Sequence, residues 1–461
     1  MKHLGFCVEL KNKPALDTDF LPFYRWEKEY LKGASESIAV AIRRNDRKVA
    51  VLDTKIYGDE EHFAADCYYI ERKIKFLLWA KGGYEVTVCG NEKVYEYIKK
   101  EYSADGARKF DFKTMGDVYE APFTVKLLPY SEKPEEKDAS QPVGGHMDGC
   151  RIGFDAGGSD RKVSAVIDGE VVYSEEVVWF PKTNSDPEYH FNGIVEAFRT
   201  AASKMPRVDA IGISSAGIYV DNRTMLASLF LKVSPEEFNA KVKDIYIRAG
   251  KEIGDVPLLV ANDGDVTALA GAMELKDNSV LGIAMGTSEA GGYVDEKGNV
   301  TGWLNELAFT PIDANPNAME DEWSGDIGCG VKYFSQDGVI KLAPAAGIEL
   351  DPALSPAEKL KVVQAEVEKG NEKALDIYRS IGAYLAHTLP LYGEIYSIRH
   401  LLLLGRVTSG KGGEALVETC KKVLKEEYPE LGINLVLPDE TNRRVGQSVA
   451  AAGLPEIVKQ A

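Results

Sequence analysis

Two apolar, strand-like runs in this chain, RIGFD and VLGIAMG, each break off at a cluster of glycine and hydroxyl residues and resume as a second strand-like run. The first break is Asp155-Ala156-Gly157-Gly158-Ser159, and the second is Gly286-Thr287-Ser288 followed by Gly291-Gly292. Glycine at such a turn lets backbone N–H groups approach an anion closely, so that with the neighbouring hydroxyl they can cradle a phosphate, while Asp155 can hold a hydrated magnesium ion. A glycine pair in a hairpin can equally be only a tight turn. Two such hairpins facing one another would grip a polyphosphate from both sides, which points to an architecture with a β-bearing lobe behind each turn.

The flanking pattern fits that architecture. RIGFD, KVSAVI and GEVVYSEEVVWF are rich in β-branched residues and joined by short turns, which predicts a meander. Phe191, Ile194, Val195, Phe198, Ala201, Ala202 and Met205 then recur at three-and-four spacing, the stripe of a helix packed on that sheet. A buried strand, VDAIGIS, follows. The theme returns as PLLVA before Asn262, a helical DVTALAGAMEL, the strand VLGIAMG and a turn into GGYVDEKGNV. Helical stretches from Pro356 to about Tyr396 lead to LLLL, ending at Gly405. Meanders giving way to helices and further strands predict an α/β class with mixed sheets.

The segment from Ser131 to Gly149 is polar, rich in proline and glycine and without an apolar period, and reads as a linker. It sets apart residues 1–130 as an α/β domain with a hairpin (SIAVAIRR, RKVAVLDTKIY), a helix around ERKIKFLLWAKG and the strand YEVTVCG. Asp46-Arg47-Lys48-Val49 opens its second strand as Asp160-Arg161-Lys162-Val163 does after the linker. Either the domain is a degenerate internal repeat or it is unrelated, and a four-residue match favours the second. If it is a copy, Arg43-Arg44-Asn45 stand where the later one has Gly157-Gly158-Ser159.

Composition removes several classes. A chain of 461 residues predicts two to four units at roughly 100–200 residues each. A net charge of −17 without a basic patch argues against a nucleic-acid partner. No apolar run of about 18 residues is present to span a bilayer, and the charges in MKHLGFCVELKNK interrupt what a signal peptide would need, so the expected location is cytoplasmic and not membrane-bound. The six cysteines and six histidines are scattered, without metal-ligand or disulfide spacing.

Asn262-Asp263 stands directly between the strand PLLVA and a helix, with Asp265 and Thr267 adding helix-start polarity. Asp263 or Asp265 can cap that helix. A carboxylate at a strand end beside bound phosphates can also accept the proton of an attacking hydroxyl, and spacing alone leaves the two roles open.

FDAGGSDRKVSAV, IGISSAG, LLVANDGDVTALAGA, LGIAMGTSEAGGY and LLLLGRVTSGKG follow one another as the phosphate-1, connecting, catalytic, phosphate-2 and adenosine segments do in ROK sugar kinases. Over residues 150–461 the chain thus resembles the ROK branch of the sugar-kinase, heat-shock-protein-70 and actin superfamily. The resemblance implies a two-lobed actin-like ATPase (ribonuclease H-like) fold with an additional N-terminal α/β domain. Its N-terminal lobe would span 150–262 plus about 445–461, and its C-terminal lobe 263–444. It implies an enzyme, an ATP- and Mg2+-dependent kinase of a sugar or sugar derivative. Asp155, Gly157, Gly158, Ser159, Lys162, Gly286, Thr287 and Ser288 would meet the phosphates and magnesium (Asp155 through water), and Gly405 the adenosine. Asp263 would be the base, and Asn262, Glu306, Ser215 and Gly217 would face the sugar. A homodimer is an assembly the resemblance leaves open.

The departures from the family pattern are specific. Phe309 stands where the family has a histidine, and a phenyl ring neither ligates zinc nor accepts a hydrogen bond from a hydroxyl. Only Cys329 of the usual three cysteines remains, so no zinc is expected. Arg406 replaces a small residue beside the adenosine glycine, and Asp160 a common lysine. These changes leave a degenerate ROK-like ATPase, or a nucleotide- or sugar-binding protein without kinase activity, as the alternative. A ROK-type repressor ranks last, since the first 130 residues are strand-rich and the chain is acidic.

Overall fold

The computed structural model describes residues 1–138, 143–438 and 443–457. Residues 139–142 of the expected linker, 439–442 of the expected C-terminal lobe and the last four residues assigned above to the N-terminal lobe lie outside the described residues. Contacts gather the chain into two compact units: Met1–Asp138, Ile283–Gly291 and Trp303–Leu437 form the first, and Ala139–Gly282, Gly292–Gly302 and Pro438–Ala461 the second. The N-terminal segment is therefore not a body by itself.

That segment runs α1 (Phe23–Leu31), β1 (Glu36–Arg43), β2 (Val49–Ile56), α2 (Phe63–Lys81), β3 (Glu85–Cys89), α3 (Glu92–Glu101), α4 (Lys109–Tyr119) and β4 (Thr124–Leu128). Its sheet has the order β2-β1-β3-β4, with β1 antiparallel to both neighbours and β3 parallel to β4. β1 is central because Ile38 to Ile42 are apolar without alternation and buried on both faces.

The helix α2 is buried on nearly every side although its sequence carries charges through the middle. Glu71, Arg72, Lys73 and Lys75 are all at most 3% exposed, a placement that demands partners. Arg72 reaches Asp326 at 2.9 Å and its neighbour Glu71 at 2.5 Å, while Lys75 reaches Asp111 at 3.1 Å and Asp326 at 3.3 Å. Arg108 completes the set, at 2.6 Å from Glu71 and 2.7 Å from Asp326. Three cations and three carboxylates thus balance. Lys73 pairs separately with Glu27 at 3.1 Å and with Glu394. Asp326, Glu394 and the rest of 303–437 belong to the same unit as α2, so the cluster ties the N-terminal segment to the later one.

In the second unit β5 (Cys150–Ala156), β6 (Asp160–Ile167) and β7 (Glu170–Val178) form the expected antiparallel meander. The helix α5 (Pro187–Ala202) follows, with the Asp186 side chain accepting from the Glu188 N–H at its start and Ile194, Val195, Phe198 and Ala201 buried. Then come β8 (Ala210–Ser215), β9 (Leu258–Asn262) and α6 (Asp263–Leu275). The sheet order is β9-β8-β5-β6-β7, with β8 parallel to both β5 and β9. The helix Arg443–Ala452 lies so close to this sheet that a Cβ on Gly153 would stand 1.8 Å from the Ser448 carbonyl oxygen, and one on Gly212 1.7 Å from that of Ala451. Only glycine admits this approach.

The two halves of the chain are not topological copies. After the helix, the next strand of the second unit, β8, pairs parallel with β5, whereas β3 pairs antiparallel with β1. The Asp-Arg-Lys-Val match therefore does not extend to the sheets.

A further four-stranded sheet comprises β10 (Val280–Met285), β11 (Glu289–Val294), β12 (His400–Leu404) and β13 (Asn434–Val436) in the order β11-β10-β12-β13. Between β11 and β12 runs the long helix α7 (Glu372–Tyr392), and α8 (Gly410–Glu427) joins β12 to β13. Among the described residues no helix is long and apolar enough to cross a membrane.

Removing one member of a balanced buried cluster leaves the opposing charges without compensation, at a cost of about 3–5 kcal/mol. Asp326→Ala should lower stability by that order in urea unfolding, whereas the exposed-pair variant Asp117→Ala should change it by less than about 1 kcal/mol.

Candidate functional site

Parallel pairing aligns the strand ends of the second unit. Asp155 pairs in register with Ser214 and Ala156 with Ser215, while Ser215 pairs with Asn262. Three strands thus deliver Asp155, Ser214 and Asn262-Asp263 to one carboxyl-terminal edge, the edge at which open α/β sheets bind ligands. Lys162 lies directly across the β5–β6 hairpin from Asp155.

Asp155 is 5% exposed and accepts a 2.8 Å hydrogen bond from the Ser214 hydroxyl. The Lys162 ammonium is 3.7 Å from its carboxylate and 2.9 Å from Asp160. Burial pushes the Asp155 carboxyl above its usual range, the Ser214 bond and Lys162 work against that shift, and Asp160 adds to it. The aspartate in place of a family lysine is thus paired locally with Lys162.

At the start of α6 the cap is Asn262. Its side-chain oxygen accepts from the Gly264 N–H at 2.7 Å and its amide donates to the Gly217 carbonyl at 2.7 Å. Asp265 turns inward, 3% exposed, and accepts from the Tyr293 N–H at 2.9 Å. Asp263 is left with a 3.1 Å bond from the Gly264 N–H, and its carboxyl is pushed up to about 6, first by removal from water and then by the charge of Asp155. A carboxylate poised there can be ionised near neutrality and still accept a proton.

Three residues that the motifs did not single out belong to this edge. One is Ser214, which orients Asp155. Another is Gln447, whose side-chain amide donates to the Ser214 hydroxyl and to the Asp263 carbonyl, both at 3.2 Å. The third is Lys182, exposed, whose ammonium would be 2.9 Å from a Cβ on Gly158 and whose charge counters the shift of Asp263. Lys182 comes from the irregular stretch before α5 and Gln447 from a helix 184 residues beyond Asp263, so no local pattern marks either.

The turn at 157–159 is held from behind. The Trp179 indole donates to the Gly157 carbonyl at 2.8 Å and its backbone N–H to the Ser159 carbonyl at 3.1 Å, while Gly158 and Ser159 are exposed. The Ser159 hydroxyl lies 3.2 Å from Asp160. Ser215, by contrast, is fully buried, and its hydroxyl is engaged by Tyr246 at 2.8 Å and Tyr219 at 2.6 Å.

The other candidates fall in the first unit. Gly286 to Ser288 make a tight hairpin closed by the Gly286 N–H on the Ser288 carbonyl at 2.9 Å, with Thr287 and Ser288 exposed. Gly405 has φ of +92°, and a Cβ there would stand 2.3 Å from the Met285 carbonyl oxygen, so the expected phosphate-2 and adenosine segments lie against each other. Arg406 is exposed and its carbonyl accepts from Gln364 at 2.8 Å.

Glu306 begins the short turn Leu307–Phe309. Close to it, Glu289 is 3% exposed; burial pushes its carboxyl well above the usual range, Tyr392 opposes this and Glu306 reinforces it. Phe309 packs on Trp79, with ring centroids 4.3 Å apart, and on Phe110 at 5.3 Å. The Cys329 sulfur is 3.7 Å from Asp326, and burial pushes its thiol up to about 12. Among the described residues no group of three or more histidine, cysteine or acidic side chains is arranged to hold a metal.

Asp155 and Asp263 fit a magnesium-bound polyphosphate: desolvation pushes both carboxyls up and the charge of Asp155 adds to the shift of Asp263, a strain that a divalent cation relieves, while Lys162, Lys182 and the exposed glycine turn supply the positive side.

No protein-family model matches the chain, and no curated protein matches it. Among solved structures it is similar to a ROK hexokinase from Thermus thermophilus, at 19% identity and a TM-score of 0.50 over 66% of this chain and 97% of that one. It is also similar to a ROK family transcriptional regulator, a homolog of the E. coli MLC protein, at 16% identity and a TM-score of 0.48 over 69% of this chain and 79% of that one. A ROK family glucokinase from Streptomyces griseus, solved with glucose and AMPPNP, is 19% identical over 66% of this chain and 98% of that one, with a TM-score of 0.44. The likeness to the hexokinase establishes the fold: this chain has the actin-like ATPase fold in the form found in ROK proteins, with an additional α/β segment at its N-terminal side.

Proposed function

We propose that the chain is a ROK-family enzyme that transfers a phosphoryl group from ATP to a hydroxyl of a sugar or sugar derivative. The observation that carries this reading is the place of Asp263 at the strand-end edge beside Asp155, where Asn262 is the helix cap and the Asp263 carboxyl, although it too accepts from the Gly264 N–H, is pushed up to about 6. A helix cap or a structural ion pair would hold its carboxyl low. A general base for a sugar hydroxyl needs the opposite.

In this reading the Mg2+–ATP complex, when bound, supplies the phosphoryl group with its charge already partly neutralised. Asp155 would hold the metal through water, and Gly157, Gly158, Ser159, Lys162 and Lys182 would meet phosphate oxygens. By the resemblance, Gly286, Thr287, Ser288 and Gly405 would meet the nucleotide. Asp263 takes the hydroxyl proton on its carboxylate oxygen, and Gln447 holds the backbone behind it. Asn262 and Gly217 fix the start of α6, and Glu306 orients the acceptor. Ser215, with its hydroxyl engaged by two tyrosines, acts by supporting Tyr219 and Tyr246 rather than by touching sugar.

One observation favours a second reading, an ATPase or nucleotide-binding protein without sugar kinase activity. Phe309 is packed into an aromatic cluster with Trp79 and Phe110 where the resembling family has a histidine. A thermal-shift screen with ATP-magnesium and a sugar panel, followed by assays for sugar phosphate and ADP, separates the two, because a ligand of the folded state raises the midpoint. Sugar-dependent ADP release supports the kinase; sugar-independent release supports the ATPase.

Asp263→Asn should lower kcat by ~10²–10⁴ while leaving ATP affinity within about twofold, as read by single-turnover assay and calorimetry. Lys182→Ala should weaken ATP binding at low salt by roughly 3–30-fold, with the defect shrinking as salt rises. Stability gives a check independent of substrate. A carboxyl raised from 3.8 to about 6 on folding favours the protonated native state, so it destabilises the fold above that range and is neutral below it. Asp263→Asn should therefore stabilise the unliganded protein by roughly 1–3 kcal/mol at about pH 8, with the gain vanishing as pH falls through 6 towards 4. A variant less stable than wild type at about pH 8 would contradict the raised carboxyl.

A further inference from the structure

We propose that α2 of the N-terminal segment is the positioning element of the acceptor-binding turn, with Trp79 as its central residue. The inference rests on the reading of Glu306 as an acceptor-binding residue, and it gives residues 1–130 a role in that site.

The last carbonyls of a helix lack partners within it. At the end of α2, two of these are spent on the turn: the Trp79 carbonyl accepts from the Glu306 N–H at 3.0 Å and the Ala80 carbonyl from the Asn305 N–H at 2.9 Å. Asn305 has φ of +52°, in the left-handed region that a non-glycine residue adopts only when its surroundings hold it there. Its side chain is fixed as well, accepting from the Tyr396 hydroxyl at 3.0 Å. Thus the residue that aims Glu306 is set by backbone bonds from another segment.

Side chains of α2 clasp the turn on both flanks. Lys81 lies 4.5 Å over the Trp303 ring before it, and the Trp79 ring packs at 4.3 Å against Phe309 after it. Trp79 is in turn oriented by its indole N–H, which donates to Asp111 at 2.8 Å, and Asp111 is held by Lys75 of the balanced cluster at 3.1 Å. A path of direct contacts therefore runs from Asp326 through Lys75, Asp111 and Trp79 to the backbone of Glu306. Phe309, incapable of a histidine's hydrogen bonding, acquires a positive role in this arrangement as the apolar seat for Trp79.

The test uses the full chain with Trp79→Leu, which removes the aromatic ring, and Trp79→Phe, which keeps a ring. Amide hydrogen exchange at residues 303–309 is compared with that at 150–282, and KM is measured for ATP and for the sugar turned over best in a panel of hexoses and N-acetylhexosamines. Trp79→Leu should speed exchange at Asn305 and Glu306 by roughly tenfold or more and leave 150–282 unchanged. It should raise the sugar KM by about tenfold or more with the ATP KM within about twofold, and Trp79→Phe should recover most of both. Phe309→Leu opens the same contact from the other side and serves if Trp79→Leu does not fold. Wild-type amides at Asn305 and Glu306 that exchange as fast as an unstructured chain would overturn the proposal, as would equal rises in both KM values. If no sugar in the panel is turned over, the kinase reading fails by itself while the exchange comparison still decides the positioning role.

Discussion

The in-register parallel pairing of β5, β8 and β9 is the constraint from which the second unit's chemistry follows. Parallel strands all end at the same edge, so Asp155, Ser214 and Asn262-Asp263 converge without any of them being near another in sequence. The convergence has an electrostatic cost: removal from water raises the proton affinity of both carboxylates, and the charge of Asp155 raises that of Asp263 further. Lys162, opposite Asp155 on the hairpin, and Lys182, over the glycine turn, offset part of it. Sites that hold such unrelieved repulsion in the free protein are suited to a cationic ligand.

How much of this was legible in the sequence depended on whether the signal was local. The meander, the helix with its stripe of Ile194, Val195, Phe198 and Ala201, and the strand before Asn262 all announce themselves by period and by glycine, and the structure has each of them. The same locality marked Asp155 and Asp263 as candidates but left Asp263 undecided between capping and catalysis. The geometry around Asn262 resolves the cap, because an asparagine one residue earlier takes the Gly264 N–H. Ser214, Lys182 and Gln447 were invisible for the opposite reason: each acts through a partner far away in the chain, on residues of ordinary appearance.

The largest unread feature was α2. A run with Glu71, Arg72, Lys73 and Lys75 looks like a solvated helix face, and nothing in it discloses that every one of those charges is buried. Two of their partners, Asp326 and Glu394, lie hundreds of residues away. The segment that the resemblance associates with zinc contributes one carboxylate, Asp326, to this charge cluster, beside Glu71 and Asp111 of the N-terminal segment. Burial alone would oppose the charge on Asp326, but Arg72, Lys75 and Arg108 outweigh it and hold its carboxyl far below the ordinary range. The N-terminal segment was expected to stand apart behind a linker; chemically it supplies the cations that this part of the fold requires.

The contact of the helix Arg443–Ala452 with Gly153 and Gly212 bears on how such a chain is made. The three strands it packs on, β5, β6 and β8, are all synthesised by residue 215, yet the backbone atoms that fill the space above those two glycines arrive more than two hundred residues later. During translation these strands wait without that helix, and Gln447, which braces Ser214 and the Asp263 carbonyl, is delivered with it. Ordering of the carboxylate edge is thereby postponed until after the intervening unit has emerged, so a nascent chain carries its acidic residues long before it carries a formed pocket for them.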